Sequence, residues 1–249
     1  MYYIFRVIPL LFLLVHSSYI SGNASSLPSR LPFLSPVLRQ VRDRHVDFSV
    51  KYTFVCCSYR GYWTSKGRAN EKGIALDAVA ALNWIKNDAN NEQVDVIIWG
   101  QSIGAGVATH LAAQQALFSK DVALKSLVLE TPFLNIRAML ETLYPQKWLP
   151  YRYLWPFLRN HLDSWKALGV LKEDGKKLGI DPPGILILEA GKDELVPKLH
   201  GEMLETRCID LGLDVRKQLI EGAYHPEVMV RPGGRPAVVE AILKAIQPS

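Results

Sequence analysis

The sequence predicts an α/β fold in which a mostly parallel sheet carries helices on both faces. The first observation is that short, β-branched runs alternate with stretches in which apolar residues recur every three to four positions. Such alternation is typical of parallel sheets, because each crossover between parallel strands requires a helix-sized connection. The second is composition: 249 residues, 49% hydrophobic and 21% charged, without repeats or low-complexity tracts, suit one domain with a large core.

The predicted strands are short runs that end at turn residues. Residues 51–58 (KYTFVCCS) contain β-branched and aromatic residues and are uncharged after the first position, and residues 94–99 (VDVIIW) and 123–129 (ALKSLVL) are mostly apolar. Residues 185–188 lie between two glycine-containing turns, and residues 215–220 are the last strand candidate. Five strands are therefore predicted after residue 50.

Three helices are predicted between and after these strands. Residues 70–85 form an amphipathic helix, and its apolar stripe comprises Ala75, Ala78, Val79, Leu82 and Ile85. Small residues predict a helix over 105–116, and a Pro/Gly loop leads into a terminal helix between Pro232 and Gln247.

The apolar run Val7–Val15 (VIPLLFLLV) has two interpretations. It is shorter than the ~20 residues that cross a bilayer and resembles a signal-peptide core, with small residues for cleavage at 22–24 and a glycosylation sequon at Asn23. It equally suits a buried parallel strand, which we prefer. The expected organisation is an apolar segment, 1–24, followed by a single domain, 25–249. A strand implies a soluble protein, and the other interpretation implies association with endomembranes or the plasma membrane.

Charge and cysteine content exclude several classes of protein. The net charge is +5, and residues 1–68 hold nine Lys/Arg against two Asp/Glu, which suits either an acidic lipid surface or a solvated face. Cys56, Cys57 and Cys208 are odd in number and lack zinc-site spacing, so buried thiols are expected. We find no nucleic-acid motif or phosphate-binding loop, and we expect neither cofactor nor metal.

The segment Gly-Gln-Ser-Ile-Gly at 100–104 joins a predicted strand to a predicted helix. This is the layout of a nucleophile elbow, in which glycines permit a sharp turn that exposes the serine hydroxyl. Ser102 is then the nucleophile. The N–H of Ile103, at the helix N-terminus, faces the position where negative charge develops on a substrate carbonyl oxygen.

A serine nucleophile needs a base and an acid, which in this layout follow it in the order Ser, acid, His. His225 comes directly after the last predicted strand, and Asp193 follows the strand at 185–188. Glu130, at the end of an earlier strand, is the reserve acid. His110 and His200 lack a strand-end position, so we expect them to be structural.

Residues 134–165 interrupt the alternation with closely spaced prolines and aromatic residues. We interpret this stretch as a cap that lines a substrate site or rests on a membrane surface, with Trp148, Tyr151 and Trp155 as substrate-binding candidates. The alternative is ordinary helical packing against the domain.

Several ordered motifs resemble one family. They are Ser58–Tyr62, Asn70–Gly73, the elbow, Glu130–Phe133, Tyr144–Pro145 with Trp148–Pro150, Gly191–Pro197 and Gly222–His225. From about residue 54 onward the chain resembles the α/β-hydrolase domain-containing proteins related to the fungal bud-emergence hydrolases and to α/β-hydrolase domain protein thirteen. The resemblance implies an eight-stranded fold, a Ser102–Asp193–His225 triad, hydrolysis of an ester or thioester, and an N-terminal membrane attachment.

The front of the chain departs from that family. Members carry His-Gly-Asn-Ala-Gly after the third strand, and this loop supplies a second oxyanion donor, whereas here His16 is separated from Gly22-Asn23-Ala24. Asn23 is the candidate for that donor. The resemblance further implies a truncated member without the first two strands, which would leave residues 51–58 as an uncovered edge.

Two functions from different classes follow. The first is a serine hydrolase that cleaves an ester or thioester of a lipid-like or acylated substrate through an acyl-enzyme. The second is a catalytically weak, membrane-associated interaction module with a damaged oxyanion loop.

Overall fold

The computed structural model describes residues 2–6, 11–15, 30–44, 52–62, 64–89, 93–143 and 160–246. Within them, the strands are β1 (Tyr2–Arg6), β2 (Leu11–Val15), β3 (Thr53–Cys57), β4 (Val94–Gln101), β5 (Val122–Glu130), β6 (Gly184–Ala190) and β7 (Val215–Ile220). The helices are α1 (Leu31–Arg44), α2 (Glu71–Asp88), α3 (Ile103–Ala113), α4 (Ile136–Leu143), α5 (Ser164–Leu178), α6 (Lys198–Asp210) and α7 (Gly234–Ala245), with a 3-10 turn at Gln115–Leu117.

The described strands form one sheet in the order β1-β3-β2-β4-β5-β6-β7. Every neighbouring pair is parallel except β1 and β3. The carboxyl ends of β2 to β7 therefore lie along one edge of the sheet. The predicted class, a mostly parallel sheet with helices on both faces, is confirmed.

Alternating side chains of the strands fill two apolar layers. Ile98 on β4 faces a layer that includes residues from α2, α3, α5 and α6, whereas the neighbouring Trp99 faces a layer with residues from α1 and α7. Because both faces are covered, the central strands carry nearly continuous apolar runs rather than a polar alternation. This explains why β4 and β5 could be recognised in the sequence.

The edge of β3 is covered by another strand. Residues 53–57 pair antiparallel with β1, with Ile4 opposite Val55, and parallel with β2, with Leu13 opposite Val55. The expectation of an uncovered edge at residues 51–58 is therefore wrong. β1 forms hydrogen bonds with the backbone N–H and C=O groups of β3 that would be unpaired if β3 were an edge strand. The run at 7–15 contributes a strand at its second half, Leu11–Val15.

Helix α1 was not predicted, because Pro32 and Pro36 resemble loop residues. Pro32 lies in the first turn, where the missing N–H has no helical partner to lose, whereas Pro36 removes one bond from the helix. Leu34, Val37 and Val41 nevertheless form a buried stripe. Their packing on the sheet favours the helix despite Pro36.

The predicted cap at 134–165 is described at its two ends. α4 follows β5 and buries none of its side chains completely. α5 begins at Ser164 with Asp163 as its N-cap, and the carboxylate of Asp163 accepts the N–H of Lys166. The aromatic candidates Trp148, Tyr151 and Trp155 lie outside the described residues.

Candidate active site

Ser102 occupies a strained turn between β4 and α3. Its φ is 53° and its ψ is −118°, a conformation that costs a residue other than glycine about 1–3 kcal/mol. The surrounding backbone holds it there, since the N–H of Ser102 donates to the carbonyl oxygen of Glu130 at 2.8 Å and its own carbonyl accepts the N–H of Ala105 at 2.9 Å. The sharp turn expected of an elbow is therefore present.

The glycine before the turn is required by space. A Cβ on Gly100 would lie 2.1 Å from the carbonyl oxygen of Gly104, in the first turn of α3. The helix starts so close to the strand that a hydrogen alone fits between them. This contact gives a physical reason for the first glycine of the motif.

The side chains of Asp193 and His225 form a buried pair. Nδ1 of His225 lies 2.9 Å from both carboxylate oxygens of Asp193, and the two side chains are 2% and 5% exposed. A carboxylate beside Nδ1 favours the tautomer with the proton on that nitrogen, which leaves Nε2 as the basic atom. The pair therefore has the arrangement of a base with its orienting acid.

The loop after β6 holds the acid in place. Oδ1 of Asp193 also accepts the N–H groups of Leu195 and Val196 at 3.0 and 2.8 Å. The neighbouring Glu194 accepts the backbone N–H of His225 at 3.0 Å. Residues 193 and 194 therefore hold both the ring and the backbone of His225.

Parallel strands bring the three candidates to one edge of the sheet. Ser102 follows β4, Asp193 follows β6 and His225 follows β7. Nε2 of Gln101, one residue before Ser102, donates to the carbonyl oxygen of His225 at 3.4 Å. The loop of the histidine is therefore in direct contact with the strand that carries Ser102.

Glu130, the reserve acid, has other partners. Its side chain is completely buried, and it accepts hydrogen bonds from Arg30 at 2.8 Å, from Gln101 at 3.1 Å and from Trp99 at 3.3 Å. The carboxylate beside Nδ1 of His225 is that of Asp193. Sequence reasoning missed Arg30 and Gln101, although a polar residue that ends an apolar strand was a signal for Gln101.

The competing titratable residues have structural surroundings. Burial lowers the pKa of His110 and of His200, which favours neutral rings in the folded protein. Burial raises the pKa of Glu189, whose carboxylate lies 3.7 Å from the amine of Lys217, against α6. None of these groups contacts the pair formed by Asp193 and His225 through a hydrogen bond or ion pair that the described residues show.

Of the two candidate oxyanion donors, Ile103 and Asn23, the structure describes only Ile103. Ile103 is the first residue of α3, and the first N–H groups of a helix have no partner within it. Asn23 lies outside the described residues.

Among the residues that the structure describes, no three or more His, Cys, Asp or Glu side chains form a metal-binding group, and no described helix has the length and apolar character of a membrane span.

No protein-family model matches the chain. Its curated relatives include the lysophosphatidylserine lipase ABHD12 of Gallus gallus, which is 34% identical over 156 residues. The matched stretch covers 63% of this chain and 39% of the chicken protein, so the chain spans about two fifths of that relative's length.

Solved structures share the fold. An alpha-beta hydrolase from Vibrio vulnificus has a TM-score of 0.68 at 20% identity, covering 95% of this chain and 74% of that one. The Pyrococcus furiosus esterase Pf2001 has a TM-score of 0.64 at 14% identity, covering 98% of this chain and 92% of that one. The chain has the α/β-hydrolase fold. The narrower likeness to the bud-emergence hydrolases, and the shortened front, stay predictions.

Proposed function

We propose that this protein is a serine hydrolase that cleaves a carboxylic ester or thioester of a lipid-like or acylated substrate. The observation that carries the proposal is the contact of 2.9 Å between Nδ1 of His225 and the carboxylate of Asp193, beside the strained turn at Ser102. A strained serine, a histidine and an orienting carboxylate at one edge of a parallel sheet suit acyl transfer.

In the proposed first half-reaction, Oγ of Ser102 attacks the acyl carbon while its proton passes to Nε2 of His225. Asp193 stabilises the imidazolium that forms. The N–H of Ile103 donates to the tetrahedral oxyanion, a contribution whose loss typically costs about 100- to 1,000-fold in kcat. The intermediate then collapses, the bond to the alcohol or thiol breaks, and the leaving group takes the proton from His225.

The second half-reaction regenerates the enzyme. Water attacks the acyl-serine and gives a proton to His225, a second tetrahedral intermediate forms, and the bond to Oγ breaks. The proton returns to Ser102 and a carboxylic acid leaves. His225 thus acts once as a base and once as an acid in each half-reaction, and no step gains or loses electrons.

Two kinds of relatives support the substrate class. The name of the chicken protein is lysophosphatidylserine lipase, and one of the proteins with the same fold is an esterase. Ile103, directly after Ser102, is a partly buried apolar residue. An apolar side chain beside the nucleophile suits an acyl chain better than a charged substrate. We propose Trp148, Tyr151 and Trp155 as further contacts to that chain and Asn23 as the second oxyanion donor.

The test is covalent labelling with a fluorophosphonate, which phosphonylates an activated serine. We expect the wild-type protein to be labelled and Ser102→Ala to remain unlabelled, with a loss of about 10⁶-fold in kcat on p-nitrophenyl esters. Ser119→Ala, which alters a serine at the opposite edge of the sheet, is the control and should label normally. Equal labelling of wild type and Ser102→Ala excludes the assignment.

A panel of acyl p-nitrophenyl esters and acyl thioesters of increasing chain length defines the substrate more closely. Turnover that rises with chain length supports the lipid-like class. If folded protein turns over neither series and is not labelled, yet binds anionic vesicles, the interaction-module hypothesis replaces the enzyme.

A further inference from the structure

Gln101 joins three parts of the molecule through one side-chain nitrogen. Its side chain is buried, and its Nε2 donates to Oε1 of Glu130 at 3.1 Å and to the carbonyl oxygen of His225 at 3.4 Å. An amide nitrogen carries two hydrogens, so both are engaged. The side chain therefore links β4 to β5 and to the loop after β7.

The orientation of this amide is determined by its partners. Both neighbours of Nε2 are acceptors, a carboxylate oxygen and a carbonyl oxygen, so a rotated amide would place its own oxygen against two others. Glu130 is in turn held by Arg30 at 2.8 Å. The charged pair thus keeps the acceptor for Gln101 fixed within the core.

Several hydrogen bonds join the loop that carries Asp193 to the loop that carries His225. Asp193 and Glu194 hold His225, and the N–H of Lys192 donates to the carbonyl oxygen of Ala223 at 2.8 Å. All these contacts lie between the loop after β6 and the loop after β7. They fix His225 relative to Asp193, but they do not fix this pair relative to Ser102. The bond from Gln101 connects the pair to the strand of the nucleophile.

We propose that Gln101 is a positioning residue that sets the distance between the imidazole of His225 and the hydroxyl of Ser102. The inference rests on the proposed function. Leucine at this position has a similar size without hydrogen-bond donors, so it removes the bridge with little change in volume. A misplacement of about 1 Å between reacting groups can cost about 100-fold in rate.

The experiment compares Gln101→Leu with wild type by the rate of fluorophosphonate labelling, by its end point, and by kcat and KM for a p-nitrophenyl ester. Gln101→Met, unbranched and also without donors, is a second variant. The matched control is Gln115→Leu. Gln115 is also buried and donates to a backbone carbonyl, but it follows α3, whose length of about 16 Å separates it from Ser102.

We expect both Gln101 variants to lose about 10- to 100-fold in labelling rate and kcat, while KM stays within about twofold and every molecule is finally labelled. A loosened or partly unfolded protein would instead lower the labelled fraction at the end point. Gln115→Leu should lose stability but keep the labelling rate and kcat.

Two results would overturn the inference. Labelling of both Gln101 variants at the wild-type rate, or an equal loss of rate in Gln115→Leu, excludes a positioning role and leaves the proposed function intact. Absence of labelling in the wild-type protein overturns the proposed function and this inference with it.

Discussion

At the scale of single residues, the site depends on a conflict between local preference and packing. Ser102 has a positive φ that most side chains avoid, and the backbone bonds to Glu130 and Ala105 maintain it. Such strain persists because the sheet and α3 leave no room for another turn, as the close approach of Gly100 to Gly104 shows. At this contact, only the hydrogen atom that glycine carries in place of a side chain fits between Gly100 and Gly104.

Gly100→Ala should abolish the turn. The added Cβ would meet a backbone oxygen at 2.1 Å, and neither β4 nor α3 can shift without losing buried contacts. We expect a loss of about 3 kcal/mol in the free energy of unfolding, with loss of fluorophosphonate labelling, measured by urea denaturation and by the probe.

The control for this variant is another glycine in a strand. A Cβ on Gly184 in β6 would lie 3.7 Å from its nearest neighbour, an ordinary contact. Gly184→Ala should be neutral or stabilise by about 0.4–1 kcal/mol, because alanine restricts the unfolded chain. Similar losses in both variants would show that the approach at Gly100 is not what constrains the elbow.

At the scale of secondary-structure elements, one buried ion pair attaches α1 to the sheet. Arg30 precedes the helix, and its guanidinium lies 2.8 Å from the carboxylate of Glu130 at the end of β5, with 7% and 0% of the two side chains exposed. Removing one partner of such a pair leaves an uncompensated buried charge, which is much more costly than loss of an exposed pair.

Arg30→Met should therefore lower the free energy of unfolding by about 3–5 kcal/mol in urea denaturation. Combining it with Glu130→Gln removes the stranded charge while keeping an acceptor for Gln101, so we expect the double variant to recover a large part of the loss. As a comparison, Arg216→Met breaks an exposed pair with Glu240 and should cost less than about 1 kcal/mol. A double variant as unstable as Arg30→Met would contradict the charge argument.

Elements that depend on local pattern were predictable, and those that depend on distant contacts were not. β4, β5 and β6 follow from apolar runs, and the order Ser, acid, His selected Asp193 and His225, which the structure brings into contact. α1 was not predicted because its two prolines are typical of loops. Its apolar stripe stabilises a helix only when it packs on the sheet, and the sequence alone does not show that packing. The pairing of Arg30 with Glu130 joins residues 100 positions apart, and no local signal reports it.

At the scale of the whole molecule, stability depends on pH through ionisable groups whose pKa values are shifted by burial. Burial lowers the pKa of His110 and His200 and raises the pKa of Asp95 and Glu189. The two histidines favour folding at higher pH, whereas the two carboxyl groups favour it at lower pH, near their unfolded pKa values of about 4. The two kinds of group therefore change the free energy of unfolding with pH in opposite directions.

The sign of the histidine effect can be tested with His200. Because its folded pKa lies below the unfolded value of about 6.5, the unfolded chain binds more protons between these two values, and stability should rise with pH across that window. One such group contributes at most about 1.4 kcal/mol per pH unit. We expect His200→Gln, which does not titrate, to reduce the slope of unfolding free energy against pH between pH 5 and 7 in urea titrations. His161→Gln, the same substitution at an exposed ring, is the control. Equal slopes for wild type and His200→Gln would mean that this buried ring does not couple protonation to folding.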